Sequence, residues 1–160
     1  MIAASPALLA RAEATVEDEF GPISQRSAVT PFNFTSYYQK EMGKGLLRQW
    51  LGLKGTVPSD RLADLKLAAI RREGSLSLDG KRQVNIDPGL LSLHSLVLAS
   101  TKDFAHRVYL RDGIHAEVTL IFQAGQFRPL EWTYPDYRTE TCLRFLTACR
   151  EELLADLART

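Results

Sequence analysis

The chain has 160 residues, 45% of them hydrophobic and 24% charged, with a formal net charge of +1. That length suits one domain, which can bury roughly 70% of its unfolded surface without disulfide or metal staples. The near-neutral charge argues against nucleic-acid binding by bulk electrostatics. No apolar run approaches the ~18 residues of a membrane span, and Met1-Ile2-Ala3-Ala4-Ser5 lacks the charged start and long apolar region of a signal peptide, so the sequence reads as cytoplasmic.

Ser5-Pro6 reads as an N-cap followed by proline at the first helical position. Leu8, Leu9, Ala12, Val16 and Phe20 then recur at helical spacing until Gly21-Pro22. Ile23, Gln25, Ser27 and Val29 share one face of an extended segment ending at Pro31. Phe32 to Gly45 is dense in aromatics and turn formers, and reads as a loop or short helical turn packed on the body. Leu47, Leu51 and Leu53 suit a strand, and a second helix runs from about Pro58 to Glu73.

Gln83 to Asp87 reads as a short strand, Pro88-Gly89 as a turn, and Leu96 to Ala99 as a central strand covered on both faces. His106 to Arg111, Ile114 to Gln123 and Gln126 to Leu130 follow as strands, joined by two-residue turns at Asp112-Gly113 and Ala124-Gly125. A last helix spans about Thr139 to Leu157, burying Leu143, Leu146, Leu153 and Leu157. The pattern is α+β, a largely antiparallel sheet with two to three packing helices in a single domain over residues 1–160. Cys142 and Cys149 lie on one face of the last helix, about 10 Å apart along its axis. That is too far for a disulfide, so two buried thiols and a reducing compartment are expected.

The chemistry-bearing residues gather at strand ends: Asn85 to Gly89, Ser100 to Arg107 and Trp132 to Tyr137. With regular two-residue hairpin loops, Arg111 faces Ile114, Val108 faces Glu117, His106 faces Thr119 and Ile121 faces Arg128. One face then carries Ile114, Ala116, Val118, Leu120, Phe122 and Phe127 as core. The other carries His106, His115, Glu117, Thr119 and Arg128, where His106 and Glu117 could form an acid–base pair. A polar sheet face is more often simply solvated, but the apolar residues mixed into this one suggest partial cover, for instance by Phe32 to Tyr38. A one-residue change of register would flip the assignment.

Lys102 between hydroxyl residues at the end of the central strand could hold an anion, or Thr101 or Asp103 could simply cap a surface turn. Asn85 and Asp87 could bind a metal with Glu117, but shaping the Pro88-Gly89 turn is the favoured reading. Tyr134 and Tyr137 could stack on a base or sugar, whereas a hydrophobic plug with Asp136 near the helix start is the commoner use of such a segment. There is no Gly-x-x-x-x-Gly-Lys-Ser/Thr, no Gly-x-Gly-x-x-Gly, no Gly-x-Ser-x-Gly and no zinc spacing among His94, His106 and His115. The sequence therefore names no cofactor and no metal set.

Several runs together carry a resemblance: Phe20 to Ile23, Tyr37-Tyr38 to Gly43, Arg82 to Gly89, Leu98 to Arg107, Ala116 to Ile121 and Trp132 to Tyr137. They are similar to the bacterial and archaeal domain-of-unknown-function family four-four-one-six, over nearly the whole chain. Proteins of that family are sometimes called GTP-binding; this chain has no P-loop to support such a role. The resemblance also implies an apolar strand before the first helix, where only Met1 to Ala4 stand. Either the strand is short, or it is missing and leaves a sheet edge open to pairing with another chain, a homo-oligomer among the possibilities.

The reading is a domain that binds a small anionic or nucleotide-like ligand in a polar pocket at the strand ends. Lys102 and Arg107 would hold the anion and Tyr134 or Tyr137 would stack, with Thr119, Arg128, Asp136, Asn85 and Asp87 as further candidates. Arg107 falls on the core side of the regular register, so it would lie at the strand entrance. The alternatives are a small enzyme using His106 and Glu117, with Asp87 or Asp136 orienting substrate, or a protein-interaction module using the Phe32 to Tyr38 aromatics.

Overall fold

A computed structural model describes residues 1–159 as two compact units. Met1–Lys54 and Leu67–Asp87 form unit 1; Gly55–Lys66 and residues 88–159 form unit 2. Helices and antiparallel strands make up both, so the fold is α+β. No helix among the described residues is long and apolar enough to cross a membrane.

Unit 1 is built on strand β1 (Ile2–Ala3), the short alternative for the chain's opening segment. It is flanked on one side by β4 (Leu47–Arg48) and on the other by β6 (Val84–Asn85), with β3 (Thr30–Pro31) beyond β4. Two residues suffice because alternation buries both faces. Ala3 packs with Leu9, Ala12 and Val16 of helix α1 (Pro6–Phe20), while Ile2 packs with Phe32, Met42 and Leu46. The Ser5 side chain caps α1 by accepting the Leu8 N–H. Phe32 and Tyr38 thus belong to the packing of unit 1, next to the one-turn helix α2 (Gln39–Met42). The Leu47 to Leu53 stretch is two strands: β5 (Leu51–Leu53) leaves the β4 sheet and pairs with β2 (Ile23–Arg26). Helix α3 (Leu62–Ser75), entered through a 3₁₀ turn at Ser59–Arg61, carries the boundary between the units.

Unit 2 is a five-stranded antiparallel sheet. Its path runs from β11 (Gln126–Pro129) to β10 (Ile114–Gln123), β8 (Ser95–Ser100) and β7 (Gly89–Leu91); β9 (Val108–Arg111) also pairs with β10. Helix α4 (Glu140–Leu157), capped by Thr139, packs on β11 and β7 through a face that includes Cys142, Phe145 and Leu146. Leu157, expected inside, is half exposed. Cys142 is fully buried and Cys149 less so; burial, with Glu152 nearby, pushes the Cys149 thiol up to about 12.

Gly89 corrects the reading of Pro88-Gly89 as a turn: it opens β7 and pairs with Leu98. A Cβ there would stand 2.6 Å from Leu98 Cδ2 and 3.1 Å from the Val97 carbonyl, so close approach of β8 is what calls for glycine. Gly89→Ala is expected to destabilise the protein by about 1–3 kcal/mol, read from the urea midpoint, as overpacking does.

Both predicted two-residue hairpin loops form, with Asp112-Gly113 and Ala124-Gly125 all at positive φ, as a type I′ turn requires. Arg111 faces Ile114 and Ile121 faces Arg128 as expected. Two irregularities then break the regular register. Between Ile114 and His115 the β9 pairing slips by one, so Tyr109 rather than Leu110 faces His115, and Val108 faces Ala116. Between Val118 and Leu120 a bulge lets Glu117 face Leu98 and Leu120 face Leu96. Leu96 and Leu98 share one face of β8, so Glu117 and Leu120 both point inward. The expected division of faces is therefore wrong in the middle of β10: Glu117 and Thr119 are buried, and Val118, assigned to the core, is 39% exposed.

Candidate functional site

The slip and the bulge together bury a polar cluster in unit 2. Continuing the β9 pairing by one residue brings Arg107 opposite Glu117, the place that a regular hairpin would give Val108. The buried carboxylate then meets a cation, as a buried charge must. Glu117, its side chain 1% exposed, accepts from Arg107 Nε at 2.6 Å, and the Arg107 side chain is only 4% exposed. The same Oε2 stands 3.2 Å from His106 Nε2, while Oε1 accepts from Thr119 Oγ1 at 3.2 Å. His106 thus meets Glu117 directly, rather than Thr119 across the strands.

Arg107 is held at its other nitrogens too. Nη1 donates to the Lys102 carbonyl at 2.9 Å, and Nη2 donates to the Tyr134 hydroxyl. Its guanidinium lies 5.0 Å from the Phe104 ring centre. The His106 ring stacks on Trp132 at 5.1 Å and 12° and lies near Phe104 at 6.1 Å. Nε2 is taken up by Glu117; Nδ1 makes no protein hydrogen bond among the described residues.

Residues 130–134 cover this cluster. Strands β9 and β11 lie along the same edge of β10, opposite β8, and leave a gap between Ala116 and Leu120. Side chains fill it: Trp132 Nε1 donates to the Val118 carbonyl at 2.8 Å, and Thr133 Oγ1 donates to that of Thr119 at 2.5 Å. Arg138 holds the segment from behind, donating to the carbonyls of Leu130, Glu131 and Thr133. The cover expected from Phe32 to Tyr38 is thus supplied within unit 2.

Of the residues singled out from sequence, His106, Arg107, Glu117, Thr119 and Tyr134 meet in one cluster. Lys102 joins through its carbonyl, in an exposed turn where its N–H donates to Ser100 Oγ, so Ser100 rather than Thr101 or Asp103 is the cap. Asp136 and Tyr137 are buried in the 3₁₀ turn Pro135–Arg138 before α4, as in the plug reading, with the Tyr137 ring 6.3 Å from Tyr134. Arg128 stays on the β10–β11 hairpin, its Nε on the Gln123 carbonyl.

Asn85 and Asp87 belong to a separate network in unit 1. Asn85 Nδ2 donates to Asp87 Oδ2 at 2.5 Å and Asn85 Oδ1 accepts from Arg82 at 3.0 Å. Arg82 also donates to Glu73 and Glu41, and Glu73 accepts the Ile86 N–H at 2.6 Å. The two residues serve this network and not a turn at Pro88-Gly89. No group of three His, Cys, Asp or Glu side chains among the described residues is arranged to hold a metal.

Sequence reasoning passed over Trp132 and Phe104 as partners of His106. The available signal was that an indole N–H needs an acceptor, and the unpaired stretch of β10 supplies one. No curated protein and no solved structure matches the chain. The family model described as Domain of unknown function (DUF4416) matches residues 1–153, nearly the whole length, and carries through both units: the chain belongs to that family.

Proposed function

We propose that unit 2 binds a small anionic ligand at the Glu117 cluster, with the His106 imidazole as the group that meets it. The observation that carries this reading is the layering of charge. The one acid at the centre of the cluster, Glu117, is buried and paired with Arg107, while His106, 22% exposed, meets that carboxylate through Nε2 and has no protein hydrogen bond at Nδ1 among the described residues. Lys102 stands in the exposed turn whose carbonyl holds Arg107. An anion approaching from this side meets the His106 imidazole and Lys102 before it meets the Glu117 carboxylate, with Asp103 of the same exposed turn as an opposing charge. Arg107 serves mainly to neutralise and fix Glu117, and the Trp132 and Phe104 rings stack on His106.

The test is thermal melting of the full chain against phosphates, carboxylates and nucleotides. A ligand at ~100 times its dissociation constant stabilises by roughly 2.7 kcal/mol. The expected result is a shift that shrinks in Lys102→Ala and is lost in His106→Gln. Silence across the panel sinks the reading.

An enzyme is the second reading, supported by the 3.2 Å contact of His106 Nε2 with Glu117. A carboxylate on one ring nitrogen orients an imidazole for proton transfer at the other. Following a bound ligand by NMR over hours separates the two: turnover that His106→Gln abolishes makes the site catalytic, and an unchanged ligand makes it a binding site.

A further inference from the structure

His115 lies two residues before Glu117 on the same strand, and so on the same face. The pairings place Tyr109 on one side of it and Ser100 on the other. The next row is Arg107, Glu117 and Leu98. Ser100 and His115 thus lie beside Glu117, which Arg107 and His106 reach from the segment just before β9.

His115 is mostly buried, yet its hydrogen bonding is unfinished. Nε2 stands 3.7 Å from Asp103 Oδ1, beyond hydrogen-bond length. Nδ1 is buried with no partner among the described residues. A buried ring nitrogen left this way is uncommon in native proteins, and its partner is usually a water, an ion or a ligand. Tyr109 lies against the ring edge-on at 5.3 Å and is itself largely exposed, on the same side of the sheet as the imidazole.

We infer that His115 is a second ligand-contacting imidazole of the same site, and that the two histidines on either side of Glu117 hold a phosphate group. The inference rests on the anion-binding reading above and extends it. The fixed charges nearby cancel: Lys102 and Arg107 against Asp103 and Glu117. Binding selectivity then falls to the imidazoles, and a tetrahedral oxyanion offers acceptors in several directions to a His115 ring N–H, to Nδ1–H of a His106 imidazolium whose Nε2–H stays on Glu117, and to the Ser100 hydroxyl. The Asp103 side chain, 85% exposed, opposes such an anion and is free to swing away as it enters.

The experiment titrates inorganic phosphate into the full chain and follows the imidazole signals by NMR. His94, exposed on the turn between β7 and β8, is the internal control. The expected result is that the His106 and His115 signals move together along one binding curve while His94 stays. His115→Gln should weaken phosphate binding about tenfold with the free His106 signal retained, and Asp103→Asn should tighten it about fivefold by removing a like charge. If phosphate moves His106 but not His115, or if His115→Gln binds as tightly as the parent chain, the inference is wrong and the site ends at Glu117. If neither imidazole moves, the anion-binding reading fails with it.

Discussion

Replacing Glu117 with alanine is expected to cost about 3–5 kcal/mol of stability, seen as a fall in the urea midpoint with an unchanged slope. The cause is the partner left behind. Arg107, 4% exposed, would keep its charge without the carboxylate that neutralises it. Thr119 Oγ1 and His106 Nε2 would lose their acceptor in the same step. The pair is not thereby a net source of stability, because both ions were taken out of water to make it. The double change Glu117→Leu with Arg107→Met should therefore recover most of the loss. A single-mutant loss under about 1 kcal/mol would show that water replaces the carboxylate. Should the double change remain as unstable as Glu117→Ala, the hydrogen bonds of Arg107 to Lys102 and Tyr134 hold the loop, rather than the charge.

Glu73→Ala is expected to destabilise unit 1 by about 3 kcal/mol. Its carboxylate satisfies the Ile86 N–H at 2.6 Å and Arg82 Nη1 at 3.1 Å, both within the fold. Burial works against the charge of Arg82, and the Glu73 and Glu41 carboxylates more than offset it, so its pKa is raised. Glu73→Gln should cost less, about 2 kcal/mol: the amide oxygen can take the Ile86 N–H, but its NH₂ then faces the Arg82 donor. Amide hydrogen exchange at Ile86 gives a local readout, with faster exchange in Glu73→Ala than in Glu73→Gln. Equal rates in the two variants would show that the carboxylate does not hold that amide.

The two networks explain why the polar residues picked out from the sequence part company. Asn85 and Asp87 read as a candidate site because two polar side chains flank one apolar residue near a proline. In the fold they extend the Arg82–Glu73 network of unit 1. Glu117 and His106 read as a pair because of a regular hairpin register. They do meet, but through a slipped one. The right partners came from a register that was wrong by one residue, and that same slip is what puts Arg107 rather than Val108 on the carboxylate.

Local chemistry was legible in the sequence. Ser5-Pro6 and the spacing of Leu9, Ala12 and Val16 determine α1, since capping and one-sided burial act within a few residues. Asp112-Gly113 and Ala124-Gly125 determine both hairpins, because a two-residue turn needs positive φ at both positions and few residues accept it. The α+β class follows from those elements. Only the tertiary structure decided which side of β10 faces inward. The bulge at Val118 to Leu120 and the slip at Ile114 to His115 carry no glycine or proline to announce them. Each shifts a period-two pattern by one, which leaves the composition of the strand unchanged and exchanges its faces. Burial of Glu117 then depends on Arg107, ten residues away in sequence, and on a segment near Trp132 that fills the gap between β9 and β11. Those contacts are long-range, and the residues that make them follow no period that a linear reading could detect.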